Sequence, residues 1–159
     1  MKRTALYAAL LLAALLVPME RCDVGKLKPV EVVHLYMERD AVILETDTGD
    51  MGIGRSVAEA YENLKRTTAG IIFLDTADYL LVEESAKNEV AAMGQWVKPS
   101  VRVCFAQRGI DLTAAASYLS THKPATKLRG FDSDLGAEKL IIRGGKILLQ
   151  KMKKLEKSA

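Results

Sequence analysis

Apolar positions along the chain alternate between short β-like runs and helical spacings. Val30 to Met37 is β-branched and aromatic and predicts a strand, with a turn at Glu38–Asp40 and a hairpin partner over Ala41–Thr46. Residues 47–54, which hold Gly49, Gly52 and Gly54, read as a loop. Ser56 then stands three residues ahead of Glu59, the spacing of a capping box, in which side chains satisfy the free backbone N–H groups of a helix start. Val57, Ala60, Tyr61 and Leu64 follow at i, i+3, i+4 and i+7, which is one helical face. Lys65 and Arg66 suit the negative pole of that helix, and Gly70 comes just after its stop.

Ile71–Leu74 and Tyr79–Val82 are each strand-like, and Asp75-Thr-Ala-Asp78 lies between them. Either one bulged strand passes through both, or two strands meet at a turn. A second helix is expected from Ser85, with Ala86, Val90, Met93 and Val97 on one face and Pro99 closing it. Val101–Ala106 predicts a strand, and Asp111 caps a third helix whose apolar face is Leu112, Ala115, Ala116 and Leu119. Residues 122–136 are polar and rich in turn formers. Two apolar runs around Gly144-Gly145 then favour a hairpin over a Gly-interrupted helix. The fold class expected is α+β, a mixed β-sheet with an N-terminal hairpin and about three flanking helices.

Composition changes this picture mainly at the N-terminus. A chain of 159 residues, 49% hydrophobic with a formal charge of +3, fits one modest globular domain and is neither disordered nor strongly basic. Part of the hydrophobicity is not core: Lys2 and Arg3 precede an uninterrupted apolar run from Ala5 to Val17, which Pro18 ends. A run that short behind two cations reads as an export signal, with an uncleaved membrane-proximal anchor as the other form. The expected organisation is a signal peptide or membrane anchor over 1–21, a polar linker over 22–29, an α+β domain over 30–128 and an extension over 129–159. That extension carries the hairpin and a basic tail; from Glu138 to Ala159 there are seven Lys/Arg against two Glu. Attraction to an anionic membrane surface is one reading of that excess, and a solvated face is the commoner one.

Candidate chemistry is sparse. Cys22 stands at a distance from the apolar run that would suit lipid attachment, although Met19, Glu20 and Arg21 occupy places where a lipoprotein signal has small side chains. Cys104, in Val-Arg-Val-Cys-Phe-Ala, reads as a small buried apolar residue, and a Cys22–Cys104 disulfide is chemically allowed outside the cytoplasm. Asp75, Asp78, Glu83 and Glu84 form the most enzyme-like set, because carboxylates at strand ends can converge on a divalent metal. Aspartate is equally favoured in turns and glutamate at helix starts, and that reading carries more weight. Gly49, Gly52 and Gly54 lack the Gly-x-Gly-x-x-Gly spacing and a following lysine, so a phosphate loop is poorly matched. His34 and His122 have no partner at the spacing of a nucleophilic triad, and Trp96 reads as an edge-of-core anchor. No metal site, cofactor or catalytic residue is expected.

Gly54-Arg55-Ser56-Val57-Ala58-Glu59-Ala60 with Asn63-Leu64, then Ile72-Phe73-Leu74, Tyr79 to Val82, Glu83 to Ala86, Arg102 to Ala106 and the Ala-rich stretch from Ala114 to Leu119 form a connected pattern. From Gly54 to about Leu128 this pattern resembles the N-terminal domain of the spore germination receptor C-subunit family, the Ger(x)C proteins. The resemblance implies that 30–128 is a domain of that kind in a short or divergent member. It also implies a non-enzymatic, lipoprotein-like assembly subunit on the outer side of the spore inner membrane, acting in the germinant response. Its partners would be membrane-spanning germinant-receptor subunits. Nucleic acid is not expected as a partner, because the chain reads as exported and its basic tail has no interleaved aromatics. Two other readings stand beside it. One is an extracytoplasmic metal-dependent enzyme using Asp75 and Asp78; the other is a small ligand- or peptide-binding domain.

Overall fold

A computed structural model describes residues 27–131 and 138–151 of the chain. The expected signal or anchor, Cys22 and the end of the basic tail lie outside the described residues. Among the described residues the protein is a mixed α+β fold with three α-helices. In chain order the strands and helices are β1 (Leu27–Pro29), β2 (Val32–Glu38), β3 (Ala41–Thr46), β4 (Met51–Gly54), α1 (Val57–Thr67), β5 (Ile71–Phe73), β6 (Tyr79–Val82), α2 (Val90–Met93), β7 (Arg102–Ala106), α3 (Leu112–Thr121), β8 (Glu138–Arg143) and β9 (Lys146–Lys151).

Seven strands form one sheet in the order β4-β3-β2-β6-β7-β8-β9. The middle is parallel, with β2 pairing β6, β6 pairing β7 and β7 pairing β8. The flanks are antiparallel, with β3 and β4 on one side and β9 on the other. Strand β2 is buried on both faces over Val32–Tyr36, which is why its sequence alternates poorly. Val33, Leu35, Val42, Leu44, Leu80 and Val103 face a core closed by α1 and the 84–97 segment. Val32, Leu81, Cys104 and Leu140 face a second core closed by α3. The two helical layers therefore enclose the sheet from opposite sides.

The hairpin turn between β2 and β3 places both Arg39 (φ 47°) and Asp40 (φ 64°) in the left-handed region. Primed two-residue turns need that geometry, and neither residue is a glycine. Helix α1 starts as its sequence predicts: Ser56 accepts from the Glu59 N–H at 3.3 Å. The Glu59 carboxylate accepts from the N–H of Arg55 at 2.8 Å, one residue outside the usual reciprocal bond. At α3 the Asp111 carboxylate accepts from the N–H groups of Thr113 and Ala114.

Three expectations change, and the open choice over 71–82 resolves to two strands. Residues 47–54 are not only a loop, because Met51–Gly54 is a strand paired with β3. A Cβ on Gly52 would lie 2.2 Å from the Ala60 carbonyl oxygen, so the glycines serve the close approach of α1. The end of the expected linker is β1, paired in parallel with β5 in a separate two-stranded sheet. With β5 there and β6 in the main sheet, the 71–82 stretch is two strands, parted by a 3₁₀ turn over Leu74–Thr76. The second helix is mostly 3₁₀ over Glu84–Glu89, with one α turn following. Its expected face is nonetheless buried: Ala86, Val90, Met93 and Val97.

Candidate functional site

The acidic set does not converge. Asp75 lies in the 3₁₀ turn before β6, and Asp78 directly precedes that strand. Glu83 and Glu84 follow the same strand, so Asp78 and Glu83 are about 16 Å apart at roughly 3.3 Å per residue. Three of the four also have local roles. The Asp78 carboxylate pairs with the Lys98 ammonium, and its carbonyl accepts from the Arg102 N–H at 2.9 Å. Glu83 accepts from the Ser85 hydroxyl at 2.8 Å, and Glu84 opens the 3₁₀ segment. Among the described residues no three His, Cys, Asp or Glu side chains are placed to hold a metal ion.

The other sequence candidates are placed as follows. Gly49 has φ 81° in the β3–β4 turn, while Gly52 and Gly54 lie under α1, so the three glycines form no open cradle. His122 is exposed at the end of α3, stacked on Tyr118 at 4.3 Å between ring centres. Its Nδ1 lies 2.8 Å from the Thr121 hydroxyl. Trp96 is half-buried beside Tyr61 at 5.3 Å, an edge-of-core position. Cys104 is buried and free among the described residues, and burial pushes its thiol up to about 12; Cys22, the other half of the disulfide that chemistry would allow, lies outside them.

Folding assembles a charged group that sequence spacing does not reveal. Arg108, just past β7, donates to the Met37 carbonyl at 2.6 Å and pairs with Glu83 at 3.2 Å and Glu38 at 3.4 Å. Its guanidinium also lies 4.9 Å from the Tyr36 ring centre. These residues gather at the carboxyl ends of β2, β6 and β7, where open parallel sheets commonly bind ligands. Here the arginine already ties the three strand ends together. The ion pairs are half-exposed, so each contributes little to stability.

One strand position inward, His34 is fully buried and neither ring nitrogen has a hydrogen-bond partner. The Glu45 carboxylate comes no nearer than 4.0 Å. Burial lowers the imidazole from 6.5 to about 4; nearby Glu83 opposes that shift and Arg108 adds to it.

The surface has a cleft of about 720 Å³ between the 84–93 helical segment and the Leu128–Gly130 turn, with Phe131 just beyond. Large side chains are exposed at Met51 (43%) and Ile53 (49%), on the same sheet face as buried Tyr36 and Ile43. Both edges of the main sheet are occupied by helix side chains. On β4, the Ile53 N–H donates to Asn63 Oδ1 at 3.1 Å and the Met51 carbonyl accepts from the Thr67 hydroxyl at 3.2 Å. On β9, the Leu149 N–H donates to the Tyr118 phenol oxygen at 3.0 Å. Among the described residues no helix is long and apolar enough to cross a membrane. No family model, curated protein or solved structure matches the chain.

Proposed function

We propose that the chain is a non-catalytic assembly subunit of a cell-envelope complex, docking through the outer face of β3 and β4. The observation that carries this reading is the apolar row Tyr36–Ile43–Ile53, with Met51 beside it, whose outer members stand about half exposed. Burying such side chains against a partner is favourable at about 25 cal/mol per Å² of apolar surface. The capped strand edges favour contact through side chains over strand addition. The resemblance to Ger(x)C proteins supplies the setting: an exported domain held at a membrane, with membrane-spanning germinant-receptor subunits as partners. Cys22 would be the lipid-bearing residue in that arrangement.

The test is co-migration of the full chain with such subunits after mild detergent extraction of membranes. Wild type is expected in the complex, and Ile53→Asp is expected to leave it with its circular dichroism unchanged. A variant that stays in the complex, or a wild type that never enters it, overturns the reading.

A further inference from the structure

The cleft beside the 84–93 segment has a composition that points to one kind of occupant. Val90, Ala91, Pro99, Leu128 and Phe131 give it an apolar lining. Lys87, Asn88 and Arg129 complete the lining, which includes no carboxylate among the described residues. Part of that lining is fixed to the core. The Leu128 N–H donates to the Val101 carbonyl at 2.9 Å, the Arg129 N–H to the Pro99 carbonyl at 3.3 Å, and Phe131 packs against Phe105 at 6.0 Å. At about 720 Å³ the cleft is within the usual range of ligand-binding sites, about 300–1,000 Å³, and it is open rather than enclosed.

We propose that this cleft receives an acidic, apolar segment of a partner protein. Apolar side chains of the segment would meet the apolar lining, and its carboxylates would meet Lys87 and Arg129. Lys87 and Arg129 beside this apolar surface repel basic segments and attract acidic ones, so charge selects among otherwise similar partners. The proposal rests on the docking reading and adds a second contact surface with a stated partner chemistry. It is separate from β3–β4, because the cleft belongs to the face covered by α1 and the 84–97 segment.

Two synthetic peptides of matched apolar content test it: acetyl-Glu-Leu-Phe-Asp-Leu-amide and acetyl-Lys-Leu-Phe-Lys-Leu-amide. Each is titrated into the full chain while backbone amide NMR shifts are followed. The acidic peptide is expected to shift the amides of Ala91, Gly94 and Gly130, and the basic peptide to leave them in place. Lys87→Glu with Arg129→Glu should weaken the acidic peptide at least tenfold and admit the basic one. Ala91→Trp, a change at an exposed position, should block both. Equal response to the two peptides, no response at those amides, or full binding by Ala91→Trp overturns the proposal. The membrane co-migration assay on the Lys87/Arg129 variant separates the two readings: loss of the cleft response with the complex intact leaves docking at β3–β4 standing.

Discussion

His34 is the residue at which burial and protonation oppose each other most clearly. Its folded-state value of about 4 lies below the ordinary 6.5. An unfolded chain therefore takes up a proton on this ring at a pH where the folded chain does not. The stability associated with neutral His34 is present above pH 6.5 and is lost as the pH falls towards 4. The difference corresponds to about 3 kcal/mol at the acid end. Urea unfolding at pH 7 and pH 4.5 should show the loss in wild type, and His34→Leu should remove roughly 2–3 kcal/mol of it; an unchanged pH slope in the variant refutes this account. None of this was legible from the residue's place in the sequence. The strand assignment was visible, but burial on both faces depends on α3 and on β6, elements more than 40 residues away.

At the scale of elements, what could be read from sequence follows from how local the determining interactions are. Helices α1 and α3 are legible because Ser56 and Asp111 act on N–H groups two or three residues ahead. The Gly144-Gly145 hairpin is legible for the same reason, since both glycines supply positive φ. Strand β4 was hidden because Gly52 and Gly54 are turn signals in sequence, and only the approach of α1 explains them as strand residues. The 84–97 segment kept its buried face but not its helical type, since periodicity of three and of four residues overlap over so short a stretch. The β2–β3 turn supplies a test at this scale. Arg39 and Asp40 hold left-handed conformations that cost a non-glycine residue roughly 1–2 kcal/mol. Replacing them by Asn and Gly should raise the unfolding free energy by about 1–2 kcal/mol, read as a higher urea midpoint at constant slope. A lower midpoint would show that the Arg39 or Asp40 side chain stabilises more than its backbone costs.

At the scale of the molecule, the candidate site was the least legible part. The acidic set looked contiguous because its members are close in sequence, yet β6 carries the two pairs to opposite ends of the sheet. The Arg108 group and the 720 Å³ cleft join residues 25 or more positions apart, so no spacing announces them. The capped sheet edges are equally non-local, and they too can be tested. Asn63→Ala with Tyr118→Phe leaves the Ile53 and Leu149 N–H groups without their side-chain acceptors. The pair should cost about 1 kcal/mol per bond at most, while sharply shortening the lag before thioflavin-positive aggregation. Unaltered aggregation would show that the edges are protected by something else. Crowding has its own bearing on these caps. Copies of a protein held at high local density and in similar orientation meet conditions that favour the templated growth of cross-β fibres. With an asparagine and a threonine stationed on one flank and a tyrosine on the other, this sheet gives an incoming strand no continuous template, and dense packing of copies need not become irreversible.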